Sequence, residues 1–456
     1  MLVYLATYGC QANERDAETI LGMLRQIGYL ETDKEGEADL ILLNTCSIRD
    51  KAAQKVFSYL GTLRQYKQDK PGLVIGLCGC MAQEEDMAGI LRRRAPFVDF
   101  VLGTHRLHRL PEILRLVQGG FGFQADQEAT GEIVEGLPSV RPYPFKALIN
   151  ITYGCDNFCA YCIVPHVRGR ERSRRMADIL AESRQRVAEG AVELTYLGQN
   201  VNAYGKAEQR AQQAQGAVVD GANAAGAAAD YGTFAELLYQ AQALPGLERI
   251  RFLTSHPKDF GRDLIQAIAD CSKVTKHIHL PVQSGSTRIL HQMNRGYSRE
   301  TYLALVDDIR RLIPDVVLTT DIITGFPGET DEDLQETLDL MDRVGFGAAF
   351  TFMYSPRKGT PAAVMPDQVP REEKRRRLQA VMAVQEASNL RLHQALIGSE
   401  QRVLAEDWAD GRLSGRGDGH QLTYFPGDAG GIGRFHRVRV TGARIWTLEG
   451  ESCAYA

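Results

Sequence analysis

The sequence predicts an α/β protein in three parts: an N-terminal parallel α/β domain, a central incomplete parallel barrel of six βα units, and a small all-β barrel at the C-terminus. Three observations lead there. A unit of apolar strand, cysteine and helical pattern occurs three times within residues 1–119. Strands alternate with helices again from Pro144 to Met353, and alternation of this kind implies a parallel sheet. After Leu396 the pattern changes to short alternating strands separated by Gly-Asp and Gly-Gly turns. A chain of 456 residues exceeds one ordinary core. The expected divisions are 1–119, 141–377 and 380–449.

The first repeated unit runs Leu2–Ala6, Cys10 and a helix around Asp16–Ile27. The second runs Leu40–Leu43, Cys46 and a helix around Lys51–Arg64, and the third Leu73–Leu77, Cys80 and a helix around Gln83–Arg94. Parallel sheets collect ligands beyond the carboxyl ends of their strands. All three cysteines sit at such ends, so they can converge although they are far apart in sequence. Each also lies just ahead of a helix, whose first N–H groups favour thiolates. The competing reading is three core cysteines in separate strands, since buried structural cysteine is common. Residues 120–140 are Gly-rich and acidic and read as a linker.

In the middle part the strands are Phe145–Thr152, Val192–Leu197, Arg249–Leu253, His277–Val282, Val316–Ile323 and Ala348–Met353. The helices between them are Asp178–Ala188, Phe234–Gln242, Arg262–Ala269, Arg299–Leu312 and Glu332–Val344, with Thr330 and Asp333 as a cap for the last. Barrels of this kind place their chemistry at the carboxyl ends of the strands. Gln199, Asn200, Ser255, His256, Gln283, Ser284 and Gly325–Glu329 all fall there. Each can equally be an ordinary loop residue, and His277 and His279, alternating on one strand, read as core or lining residues. Residues 206–230 are Ala-rich without a helical apolar face and read as a mobile surface insertion. A helix around Arg371–Leu396 leads to strands at Gln401–Ala405, Gly411–Ser414, Gln421–Tyr424, Arg437–Ala443 and Trp446–Leu448.

Composition narrows the class. The net charge of −4 does not mark a nucleic-acid binder as a whole, although basic patches can act locally. No long apolar run and no basic, cleavable leader is evident, so the expected compartment is the cytoplasm with no membrane span. Nine cysteines, six or seven of them in two tight contexts, favour metal or cluster ligation over disulfides. The sharpest pattern is Cys155-x3-Cys159-x2-Cys162, on the loop after the first barrel strand. Three thiolates on one loop can hold three irons of a [4Fe–4S] cluster and leave the fourth iron open. A structural zinc site usually wants a second cysteine knuckle, and none follows nearby. A thioredoxin-like Cys159-x2-Cys162 pair is the remaining alternative.

Beyond those cysteines, ITYGCDNFCAYCIVPHVRGRERSR (Ile151–Arg174) resembles the radical S-adenosylmethionine superfamily and, within it, the MiaB-type tRNA methylthiotransferases. GQNVNAYG (Gly198–Gly205), TSHPKDF (Thr254–Phe260), LPVQSGS (Leu280–Ser286), MNRGYSRE (Met293–Glu300), TDIITGFPGET (Thr320–Thr330) and YSPRKGTPAA (Tyr354–Ala363) resemble the same family. So do TYGCQANERDAE (Thr7–Glu18), NTCSIRDKA (Asn44–Ala52) and GCMAQ (Gly79–Gln83). GRLSGR (Gly411–Arg416) and FPGD (Phe425–Asp428) resemble the TRAM domain, an RNA-binding β-barrel.

The resemblance implies two [4Fe–4S] clusters, one on Cys155, Cys159 and Cys162 and an auxiliary one on Cys10, Cys46 and Cys80. Cys78 continues an apolar run and reads as core, Ala12 stands where the family usually has Met, and Cys271 and Cys453 match no motif. It implies an S-adenosyl-L-methionine pocket, for which the strand-end candidates are Gln199, Asn200, Ser255, Gln283, Ser284, Gly325 and Glu329, with Arg295 as partner of the methionyl carboxylate. It implies methylthiolation of tRNA at an N6-isopentenyladenosine 3′ of the anticodon, with the anticodon stem-loop as the bound part, two S-adenosylmethionine molecules consumed, a flavodoxin or ferredoxin donor and a monomeric enzyme. The same chemistry on a threonylcarbamoyl-adenosine tRNA or on a ribosomal-protein aspartate stays open, as does a non-catalytic iron–sulfur RNA-binding protein. Five arginines within Arg168–Arg175 read as a solvated face or a phosphate-facing patch, and Lys374–Arg377 as a second, weaker patch.

Overall fold

The computed structural model describes residues 1–47, 50–210 and 230–453. Its N-terminal part contains β1 (Leu2–Thr7), α1 (Gln11–Gln26), β2 (Leu30–Glu31), β3 (Leu40–Thr45), α2 (Asp50–Asp69), β4 (Val74–Gly79), α3 (Met87–Arg94), β5 (Phe100–Leu102), α4 (Leu110–Gln118) and β6 (Gln124–Asp126). The sheet order is β2-β1-β3-β4-β5-β6, parallel throughout. Strands β3 and β4 are buried along their whole length. This explains their continuous apolar runs: helices cover both faces. The sheet extends past residue 119, because β6 lies inside the segment read as a linker and pairs with β5.

The middle part begins with β7 (Lys146–Asn150), β8 (Thr152–Tyr153), α5 (Val164–Val167), β9 (Arg172–Ser173), α6 (Met176–Ala188) and β10 (Glu193–Leu197). It continues with α7 (Phe234–Gln242), β11 (Arg249–Phe252), α8 (Arg262–Asp270), β12 (His277–His279), α9 (Thr287–Gln292), α10 (Arg299–Leu312), β13 (Val317–Thr324), α11 (Asp331–Val344) and β14 (Ala348–Met353). Two parallel three-stranded sheets, β7-β10-β11 and β12-β13-β14, meet where Ile250 N–H donates to the Lys273 carbonyl at 2.7 Å and Thr275 N–H to the Ile250 carbonyl at 3.0 Å. The six strands thus follow one arc in chain order. Among the described residues, β14 and β7 do not pair, so the barrel is incomplete. Helices α7, α10 and α11 open with capping boxes, at Thr233/Glu236, Ser298/Thr301 and Thr330/Asp333. Loss of such a cap typically costs about 1 kcal/mol. The Ala-rich insertion lies largely outside the described residues.

One continuous helix, α12 (Arg371–Ala395), returns along β14 and crosses the expected boundary near residue 380. Strands β15 (Glu400–Ala409), β16 (Arg412–Arg416), β17 (Leu422–Pro426), β18 (Phe435–Ala443) and β19 (Thr447–Ser452) close a barrel in the order β15-β16-β17-β19-β18. It docks on the amino ends of the central strands. Arg249 and Glu193, the first residues of β11 and β10, form a buried ion pair at 2.5 Å, and Arg249 reaches Asp418 at 3.2 Å. Arg251 donates to the Gly417 carbonyl at 2.7 Å. The rings of His277, which opens β12, and His420 stack with centroids 4.9 Å apart. Among the described residues no helix is long and apolar enough to cross a membrane.

Candidate functional site

Strand register brings the first three cysteines together. Thr7 pairs with Asn44 and Thr45 with Gly79, so the loops bearing Cys10, Cys46 and Cys80 leave the sheet side by side. An asparagine clamp holds them: Asn13 donates to Asn44 Oδ1 at 3.2 Å and to the Thr45 carbonyl at 3.1 Å, while Asn44 donates to the Asn13 carbonyl at 2.8 Å. Gly79 has φ +88, and a Cβ there would stand 2.5 Å from the Thr45 carbonyl oxygen. Cys46 and Cys80 are buried and Cys10 is half-buried. Cys78 lies in the core beneath, against Leu42 and Phe100.

The helix-terminus expectation holds unevenly. Cys10 is the N-cap of α1. Cys80 instead precedes a 3-10 turn, Met81–Gln83, and α3 starts only at Met87. Its positive partner comes from elsewhere: Arg168 Nε donates to Cys80 Sγ at 3.2 Å, and Arg168 Nη2 donates to Asp16 Oδ2 at 2.7 Å. Burial pushes the Cys80 thiol up to about 11 against the pull of Arg168.

The second set follows β7 and β8. Cys155 N–H donates to the Gly169 carbonyl at 3.2 Å, and β8 pairs with β9, which closes the loop into a hairpin. Burial raises the Cys155 thiol to about 11, and burial with the neighbouring Cys159 raises Cys162 to about 12. A metal centre here would displace those protons on binding. Immediately after Cys162, Ile163 and Val167 pack against Cys80, so the two sets of thiols share one apolar contact. Among the described residues, no group of three or more His, Cys, Asp or Glu side chains is set to hold a single metal ion. An iron–sulfur cube is wider than one ion, and thiols on converging loops, each set with one guanidinium, suit it chemically.

Around the second set, Asn200 Oδ1, Ser255 Oγ and His256 Nε2 are buried and, among the described residues, have no hydrogen-bond partner. They stand at the ends of β10 and β11, as ligand-facing polar atoms do. His256 is held neutral, lowered to about 2 by burial and then by Arg295 and Lys258. Gln199 is half-buried beside them, and Gln283 is buried with φ +72. Other candidates are already engaged. The Ser284 hydroxyl faces Thr337 at 3.4 Å, and Glu329 accepts from Gly325 N–H at 2.6 Å and from Arg377 at 2.9 Å. Gly325 packs against the Lys374 side chain. Arg295, expected at a carboxylate, donates to Pro281 O at 2.8 Å, Tyr297 OH at 2.9 Å and Cys159 Sγ at 3.3 Å.

The arginine run is neither solvated nor chiefly open to phosphate. Arg168 is buried on Asp16 and Cys80, Arg174 is buried on Glu182 at 2.7 Å, and Arg172 donates to the Thr130 carbonyl at 2.8 Å. Only Arg170 and Arg175 are largely exposed. In the second patch Lys374 and Arg377 are buried as well. A cavity of about 640 Å³ lies between α1, residues 132–139 and α6, at the domain junction, and none of its lining residues is a cysteine. The Arg15–Glu182 and Arg174–Glu182 ion pairs line it.

An incomplete six-stranded parallel barrel with three thiols on the loop after its first strand defines a radical S-adenosylmethionine enzyme. Residues 149–341 match the radical SAM superfamily, residues 2–103 the uncharacterized protein family UPF0004 and residues 394–452 the TRAM domain. The chain is 46% identical over 459 residues to the tRNA-2-methylthio-N(6)-dimethylallyladenosine synthase of Moorella thermoacetica, across 98% of this chain and 97% of that one. It is 45% identical over 456 residues to the synthase of the same name from Carboxydothermus hydrogenoformans, across 98% of each. In fold it is similar to the radical S-adenosylmethionine methyltransferase TsrM from Kitasatospora setae, with a TM-score of 0.53 and 14% identity over 91% of this chain and 80% of that one. The chain belongs to the family of tRNA-2-methylthio-N(6)-dimethylallyladenosine synthases.

Proposed function

We infer that this chain replaces the C2 hydrogen of an N6-dimethylallyl (isopentenyl) adenosine in tRNA with a methylthio group, at the adenosine 3′ of the anticodon. Near full-length identity to synthases of that name carries the reading. The convergence of two thiol sets supports it. An aromatic C–H has no leaving group and no useful acidity, so its replacement needs a radical and a sulfur source in reach of one another.

Cys155, Cys159 and Cys162 hold the radical-site cluster, and Cys10, Cys46 and Cys80 the auxiliary one. When bound, these groups with two S-adenosylmethionine molecules supply a carbon-centred radical for hydrogen abstraction, sulfur, and a methyl group. The chain's own residues orient and exclude. Asn200 Oδ1, Ser255 Oγ and the neutral His256 Nε2 offer hydrogen-bonding positions to the cofactor's polar atoms. Arg295, pinned by Pro281 O and Tyr297 OH, keeps a positive charge on Cys159. The Ser284–Thr337 and Glu329–Arg377 contacts keep the loops after β12 and β13 rigid. The anticodon stem-loop, a flavodoxin or ferredoxin donor, a monomeric state and a cytoplasmic setting complete the reading.

Mass spectrometry of tRNA nucleosides tests it. A strain lacking this gene, with no second such enzyme, should accumulate isopentenyladenosine and lose its 2-methylthio derivative. Persistence of the methylthio nucleoside would sink the proposal. Anaerobic turnover with dithionite should also release 5′-deoxyadenosine.

A further inference from the structure

Arg168 belongs to the central domain, yet its side chain ends on a thiol of the N-terminal one. It follows α5, which begins two residues after Cys162, and its guanidinium is buried between Cys80 Sγ at 3.2 Å and Asp16 Oδ2 at 2.7 Å. Ile163 and Val167, from the same segment, pack on Cys80. Among the described residues the guanidinium at that sulfur comes from the central domain, so the charge environment of Cys80 depends on the docking of the two domains.

We propose that Arg168 is a positioning residue for the auxiliary iron–sulfur site, which fixes the Cys80 sulfur and raises the reduction potential of the cluster held there, with Asp16 acting in the opposite sense. This rests on reading Cys10, Cys46 and Cys80 as cluster ligands. The physical reason is charge. One-electron reduction adds negative charge to the site, and hydrogen bonds and cations at ligand sulfurs stabilise the reduced form. A buried guanidinium interacts strongly because little water screens it. Asp16 both anchors Arg168 and offsets part of its charge. The potential of the auxiliary site thereby depends on a residue anchored beside the radical-site loop, which ties the two centres together electrostatically.

The test uses the full chain with Cys155, Cys159 and Cys162 all changed to Ala, reconstituted anaerobically, so that only the auxiliary site takes iron. Retention of about four irons per chain supports the ligand reading. Absence of iron would overturn that reading, and the proposal with it, before Arg168 is touched. In this background, potentiometric titration followed by electron paramagnetic resonance compares Arg168→Met and Asp16→Asn. The expected result is a shift to lower potential for Arg168→Met and to higher potential for Asp16→Asn, with iron content retained. A purely structural contact would move both the same way or neither. Shifts of the same sign, unshifted potentials with full iron, or loss of iron from both variants would each overturn the proposal. If only one variant keeps its iron, the sign of its shift decides.

Discussion

Arg295 Nη1 donates to Cys159 Sγ at 3.3 Å while Nη2 of the same guanidinium is fixed on the Pro281 carbonyl at 2.8 Å. A thiol of the loop after the first barrel strand is thus tied to the end of the fourth. Arg295→Lys keeps the charge but loses the planar fork. The expected outcome is unchanged iron content with 5′-deoxyadenosine formation slowed at least about tenfold, or ~1.4 kcal/mol in barrier. Anaerobic single-turnover assays with chromatographic quantitation check it, and a rate within about twofold of wild type would contradict it.

Gly79 stands where the loops of Cys46 and Cys80 touch. Its φ of +88 and the 2.5 Å approach of the Thr45 carbonyl leave no room for a side chain. Gly79→Ala should cost at least about 1–3 kcal/mol from backbone strain alone. It should also lower auxiliary iron while the Cys155 loop keeps about four irons per chain. Iron and sulfide assays with a denaturant titration measure both effects.

Arg377 is the buried counter-charge of Glu329, whose carboxyl is raised by burial and pulled back by Arg377 and the Gly325 N–H. Arg377→Met should destabilise the chain by about 3–5 kcal/mol, because the carboxylate is left unpaired. The sign of the pH effect follows. With the pKa raised further in the folded state, the protonated form is stabilised, and stability is lost as pH rises through that value. The deficit should therefore be smaller in mild acid than in mild base. Thermal unfolding across that range reads it, and an equal deficit at both ends would contradict it.

His277 and His420 stack at the junction of the two barrels, and burial with Arg251 and Arg416 nearby holds both well below their ordinary value of 6.5. A neutral pair is buried where the unfolded chain would take up protons. Its contribution is complete above 6.5 and is lost as pH falls below it. His420→Phe keeps a ring but removes one titrating group, so the acid loss should be shallower. Protease nicking between α12 and β15, followed against pH, measures the undocking.

Much of this architecture was legible because its causes are local. Alternating strand and helix patterns placed the six barrel strands but not the short β9, and the Thr330/Asp333 cap was readable at its position. The cysteine-bearing strand ends come side by side because register pairs Thr7 with Asn44 and Thr45 with Gly79. What the sequence hid were partners. Nothing near Arg168 announces Asp16, and nothing near Glu329 announces Arg377, since both pairs form through tertiary packing. Hence the arginine run looked outward when three of its guanidiniums turn inward. Ser284, Glu329 and Gly325 sat at the expected strand ends, but the structure engages them within the loops. The segment 120–140 hid β6 because a three-residue edge strand has too few positions to show alternation.

The C-terminal barrel grips the amino ends of the central strands, whereas both sets of thiols lie beyond carboxyl ends. The central strands therefore stand between the small barrel and the Cys155 loop. Strand β13 has eight residues, and at ~3.3 Å per residue it spans about 26 Å. A molecule that touches both ends must bridge that distance. A free nucleoside is too short to do so, whereas a folded RNA hairpin is long enough.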